Sequence, residues 1–118
     1  MDEDPEIETY EGDEYEDPDI IVETKVNEDI NLLMKDYKKK LKNYHTSPTL
    51  TKYERTRILA ERATQIDEGA QVLIAGAERY RSAYEIAVAE FNDKKIPFIV
   101  KRPYGNTFEY WKLKDLIL

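Results

Sequence analysis

His45 is the only imidazole in the sequence, and it lies in a short linker, HTSP, at 45–48. A nucleophilic site would need a nucleophile, a base within hydrogen-bond reach and a carboxylate that orients the base. No such constellation surrounds His45, which reads as a surface linker residue. Cysteine is absent, and that excludes disulfides and thiolate zinc or iron–sulfur sites. The acids lack the spacing of a calcium loop, and no phosphate loop is present. The sequence therefore points to no catalytic residue, no metal site and no cofactor. What remains is recognition chemistry. Glu54, Arg57, Ile58, Glu61, Arg62 and Gln65 fall on one side of a helix at about 100° per residue. An Arg57 and Glu61 pair at i,i+4 contributes only about 0.2 to 0.5 kcal/mol, too little to account for two arginines set around an isoleucine. This side is expected to face a partner, because an arginine fork holds a carboxylate or several carbonyls in fixed geometry.

The helix that must carry this face lies in LTKYERTRILAERATQIDEGA, 50–70. Thr51 and Glu54 have capping-box spacing, and Gly69 stands where a helix leaves through a left-handed residue. Thr56, Leu59, Ala60, Ala63, Ile66 and Ala70 share the opposite side, the expected core face. A second capping box, Ser82 to Glu85, opens another helix that Lys94, Lys95 and Pro97 close. Its residues leave almost no polar face, so it is expected to be central, covered on one side by the first helix and on the other by something that need not belong to this chain. Between the two, 71–75 reads as a short buried strand or tight connection and 76–81 as a loop. Phe98 to Val100 and Phe108 to Leu113 read as strands joined by a turn at 103–106. Upstream, Val26, Ile30, Leu33, Tyr37, Leu41 and Tyr44 recur at helical spacing, with Lys38, Lys39, Lys40 and Lys42 near the end, where the helix dipole favours them.

Charge divides the chain. Residues 1–24 hold twelve Asp and Glu and no Lys or Arg, so the tail accounts for the net charge of −7 and the remainder is close to neutral. The folded part is thus not a strongly basic nucleic-acid surface. The acidic stretch carries too little apolar surface to offset chain entropy and is expected to be disordered, either a solvated tail or an interaction tail built around Tyr10 and Tyr15. The N-terminus is acidic where targeting segments are basic, and no apolar run approaches the roughly 18 residues that span a bilayer. A soluble, intracellular protein without membrane contact is expected. The fold class is α+β: a helical core of two principal helices with a C-terminal β-hairpin (48–118), preceded by an amphipathic helix and linker (25–47) and a disordered acidic tail (1–24).

TLTKYERTRILAERATQI at 49–66, AYEIAVAEF at 83–91, and KKIPFIVKR at 94–102 followed by FEYWKLKDLIL resemble one family. It is the omega-type small subunit of multisubunit DNA-dependent RNA polymerases, above all its archaeal subunit K and eukaryotic common small subunit branch. The similarity covers roughly 48–118. It implies a non-catalytic subunit, without an active site of its own, that clamps the C-terminal part of the largest subunit and promotes assembly and stability of the transcribing enzyme. DNA would be met only through the complex, and the chain would not be a homo-oligomer. The implied partner-binding residues are Thr51, Tyr53, Glu54, Arg57, Ile58, Arg62, Gln65, Ala87, Glu90, Ile96 and Pro97. Two departures stand out: Asp67, Glu68 and Gly69 lead to Gln71 where the family runs through small apolar residues into a proline, and the helix starting at Val26 is not a family feature. Such a mosaic suits a divergent lineage, for instance a polymerase encoded by a large DNA virus. The location implied is the nucleus for a cellular eukaryotic protein, and host cytoplasm and virion for a viral one. The rival reading is a free-standing acidic adaptor that binds a basic partner through its tail; it would need a closed core of its own.

Overall fold

The computed structural model describes residues 19–22 and 28–118. In chain order these form β1 (Asp19–Val22), α1 (Glu28–Leu33), α2 (Tyr37–Leu41), α3 (Lys52–Asp67), a 3-10 turn (Ala77–Arg79), α4 (Ala83–Asn92), β2 (Phe98–Tyr104), β3 (Thr107–Lys112) and a second 3-10 turn (Leu113–Asp115). The punctuation of α3 is as expected. The Glu54 amide donates to Thr51 Oγ1 and the Thr51 amide to Glu54 Oε1, both at 3.0 Å. At the other end Gly69 takes φ 100°, while the Ala70 and Gly69 amides fold back onto the Gln65 and Ile66 carbonyls, a Schellman exit. The same exit ends α4, but its left-handed position is Lys94, φ 55°.

Helices α3 and α4 pack together and onto a three-stranded antiparallel sheet in the order β1-β2-β3. Leu50, Ile58, Leu59, Ala87, Phe91, Ile96, Phe98, Val100, Trp111, Leu113 and Leu116 make one buried cluster. The expected C-terminal hairpin is present, turned by Gly105 and Asn106 between the paired residues Tyr104 and Thr107. Gly105 carries the positive φ, 60°, that a two-residue hairpin turn requires. The chain end returns to the start of α3: the Leu50 amide donates to the Ile117 carbonyl and the Ile117 amide to the Pro48 carbonyl, each at 2.8 Å. No helix among the described residues is long and apolar enough to cross a membrane.

Three expectations need correction, and a fourth is decided between its two readings. The tail expected to be without structure to residue 24 contributes Asp19–Val22 to the sheet, where they pair with residues 98–101 of β2; residues 1–18 and 23–27 lie outside the described residues. The single helix expected over 26–44 is two short helices, because Asp36 takes a left-handed φ of 58° that interrupts the ladder. Aspartate tolerates that region better than most residues. Strand β2 runs on through Pro103 and Tyr104, which the sequence placed in the turn. Among the described residues β1 pairs with β2 only as far as Lys101, so no described strand there calls on the amide that Pro103 lacks. Finally, of the two readings of 71–75 the strand falls and the connection stands: the segment is irregular, with alternating exposure.

Candidate partner-binding site

Helix α3 is oriented differently from its hydrophobic pattern. Glu54, Ile58, Leu59 and Arg62 are the buried residues, with Ile58 wholly enclosed, whereas Thr56 and Ala60 are exposed. The face expected to meet a partner is therefore largely turned into the protein. The reason is that both of its buried charges find opposite charges on other elements. Arg102 of β2 forks onto Glu54, with Nε 2.9 Å from Oε2 and Nη2 2.8 Å from Oε1. Arg62 does the same to Glu90 of α4 and also donates to Gln65 Oε1 and the Gln71 carbonyl. Ala87, Glu90 and Ile96, expected at the interface, are buried as well. Glu54, Ile58, Arg62, Ala87, Glu90 and Ile96, expected on a contact face, thus point into the domain and hold it together.

A second network fixes the 45–49 linker. Buried Glu109 accepts from the His45 amide (2.7 Å), the Thr46 amide (3.0 Å) and the Thr46 hydroxyl (2.7 Å). That hydroxyl oxygen also accepts Trp111 Nε1–H at 2.8 Å, and Arg102 reaches the carbonyls of Ser47 and Thr49. Burial pushes the Glu109 carboxyl up, but the linker donors together outweigh it and hold it below the usual carboxylate range. The same balance, with Arg102 and the Thr51 amide as donors, lowers Glu54. His45 stacks on Tyr104 with ring centres 4.6 Å apart, in keeping with a linker role.

Sequence reasoning missed Arg102, Glu109, Thr46 and the two tyrosines that guard β3. A signal existed for the first two. Strand alternation puts Arg102 on the face of Phe98 and Val100, and Glu109 on that of Trp111, and a charge on an apolar face demands a partner. The tyrosines bind the outer edge of β3: the Tyr110 amide donates to Tyr44 Oη and the Lys112 amide to Tyr37 Oη.

Some of the expected contact residues do lie outside. Thr51, Tyr53 and Pro97 are exposed, Tyr53 by 50 %, and Arg57 and Gln65 are half-buried. Arg57 is the unusual one, since its Nε is buried with no hydrogen-bond partner among the described residues. On the outer side of α4, Tyr84 is 54 % exposed and borders a shallow recess with Tyr80, Val88 and Ala89. Of the two covers expected for that helix, this chain supplies the one over Ala87 and Phe91. No group of three His, Asp or Glu among the described residues could hold a metal ion.

The RNA polymerase Rpb6 family profile matches residues 45–98, from the Glu109-bound linker to the start of β2. Across nearly the whole chain, 121 aligned residues are 38 % identical to subunit 6B of the DNA-directed RNA polymerases II and V of Arabidopsis thaliana, covering 97 % of this chain and 78 % of that one. The chain belongs to the Rpb6 family. That family is the omega-type one the sequence resembles, and the relatives it matches are named as polymerase subunits. The RPABC2 subunit of DNA-directed RNA polymerases I, II and III of Saccharomyces cerevisiae is 43 % identical over 75 residues, 62 % of this chain and 47 % of that protein. DNA-directed RNA polymerase subunit 6 of Acanthamoeba polyphaga mimivirus is 42 % identical over 72 residues, 60 % of this chain and 18 % of its own length. The chain spans about half the length of the yeast subunits it matches. Both buried ion pairs include one residue, Glu54 or Arg62, on the helix at the centre of the Rpb6 match.

Proposed function

We propose that this Rpb6 chain is a non-catalytic subunit of a multisubunit DNA-directed RNA polymerase, which clamps the C-terminal part of the largest subunit and promotes assembly of the enzyme. Membership of a family whose relatives are named as polymerase subunits carries the reading. The orphaned Arg57 Nε directs it to a place. A desolvated donor without an acceptor is costly, and a carboxylate or carbonyl of a partner would remove that cost. Tyr53, one turn before Arg57, adds half-exposed aromatic surface of the kind that dominates binding energy. Thr51, Gln65 and Pro97 complete the proposed contact, with the apolar outer side of α4 as a second area. The location follows the polymerase: nucleus in a cellular eukaryote, host cytoplasm and virion in a virus.

The test is affinity capture of the full-length chain from native extract with mass spectrometry. Very large polymerase subunits recovered in stoichiometric amount are the expected result, and their absence sinks the proposal. The contact itself is tested with Arg57→Ala and Tyr53→Ala. Each should leave the circular dichroism unchanged and weaken capture by about tenfold or more, about 1.4 kcal/mol. Full capture by both variants would move the contact away from α3.

A further inference from the structure

A groove of about 550 Å³ runs between the α2 region with its following linker and the tip of the β2–β3 hairpin. Its floor is aromatic, with Tyr44, Tyr104 and Phe108, and the last two are nearly half exposed. Its rim is basic. Lys40 and His45 line it, Lys101 Nζ sits 4.2 Å from the Phe108 ring centre, and Lys38 and Lys39 are exposed on the same short helix as Lys40. The acid in its wall, Glu109, is buried and already accepts three hydrogen bonds from His45 and Thr46. The complement of such a groove is an extended acidic segment with aromatic side chains. Residues 1–18 have that composition: ten Asp and Glu, no Lys or Arg, and Tyr10 and Tyr15.

The register of β1 gives the starting point. Asp19 pairs antiparallel with Lys101, so the N-terminal end of β1 points toward Tyr104 and the hairpin tip. β1 and β3 flank β2 and are therefore about 10 Å apart, while an extended residue spans about 3.3 Å. A few residues carried round the tip reach the groove, and the rest of the eighteen suffice to lie along it. Tethering raises the effective concentration of the segment to about the millimolar range, so even a weak contact is populated. We infer that residues 1–18 dock in cis in this groove, with Tyr10 and Tyr15 against the aromatic floor and the acids along the Lys40 and Lys101 rim. The docked tail screens the basic surface from other polyanions.

Because the chain has no cysteine, Gly12→Cys gives a single spin-labelling position in the full-length protein. At low salt the amide resonances of Tyr44, Thr107 and Phe108 should lose most of their intensity. They should recover it in about 1 M salt, where the Debye length is about 3 Å. They should also recover in a tail variant carrying Asp13→Asn, Glu14→Gln, Glu16→Gln and Asp17→Asn, changes that leave the groove itself untouched. Absence of broadening in the groove, or broadening on α3 and α4 instead, overturns the inference. Broadening on an isotope-labelled chain mixed with a separately spin-labelled one assigns the groove to a second copy and overturns it too. So does an oligothymidine that shifts the groove amides equally in the native and tail-neutralised proteins, since the groove would then be open to nucleic acid.

Discussion

Arg62 of α3 grips Glu90 of α4 at two points inside the protein, Nε to Oε1 at 2.5 Å and Nη2 to Oε2 at 3.0 Å, with both side chains almost wholly buried. The pair also holds the connection between its helices. Arg62 donates to the Gln71 carbonyl, and Glu90 accepts the Leu73 amide at 2.8 Å.

Breaking that grip from one side should be costly, because it strands a buried charge. Arg62→Ala is expected to lower unfolding stability by about 3 to 5 kcal/mol, measured by urea titration. Arg62→Met combined with Glu90→Leu should recover part of the loss and not all of it, since the Gln71 carbonyl and Leu73 amide still lack partners. A double variant no more stable than Arg62→Ala would argue that the stranded charge is not the cause.

Acid should weaken the fold through Glu54 and Glu109. Both carboxyls are held below the ordinary value of 4.5 in the folded protein. The stability they contribute is therefore fully present above that value and is lost as pH falls through the lower folded values. Thermal melts from pH 6 downward should show the loss setting in near about pH 5 and deepening below it. Glu54→Gln should melt lower at neutral pH and show a shallower acid slope, and an unchanged slope would remove Glu54 from this account.

Tyr37 and Tyr44 should matter at the alkaline end and at the sheet edge. Burial is the main cause that raises both hydroxyl pKa values above 10.0, so their contribution is present below that pH and declines as pH rises past it. Tyr44→Phe leaves the Tyr110 amide and carbonyl without the hydroxyl they share, at a cost of about 1 to 3 kcal/mol. Faster hydrogen exchange at the Tyr110 amide should accompany the loss, and undiminished protection would count against edge capping.

Lys94 offers a gain. A non-glycine residue in the left-handed region costs about 1 to 2 kcal/mol, and glycine gives back about 0.5 to 1 kcal/mol through its freer unfolded chain. Lys94→Gly is thus expected to raise the melting temperature, with a net gain of up to about 1 kcal/mol. A lowered melting temperature would mean that the lysine side chain does more than occupy a turn.

Local features were legible from residues alone. The Thr51 and Glu54 box, the Gly69 exit and the Ser82 cap depend on neighbours within a few positions, and each stands where its spacing placed it, while the glycine turn at 105 is tighter than the 103–106 span read for it. The family resemblance was legible for the same reason, because it lay in ordered runs of residues. Which side of α3 faces inward was not. A helical pattern ranks faces by apolarity, and the face bearing Glu54, Ile58 and Arg62 ranks low until Arg102 and Glu90 are brought against it from 48 and 28 residues away. The same holds for Asp19–Val22, whose place beside β2 depends on a strand some eighty residues later. Charge pairing and strand pairing across such distances are properties of the folded chain, so only the tertiary structure decided which charges are core and which part of α3 stays exposed.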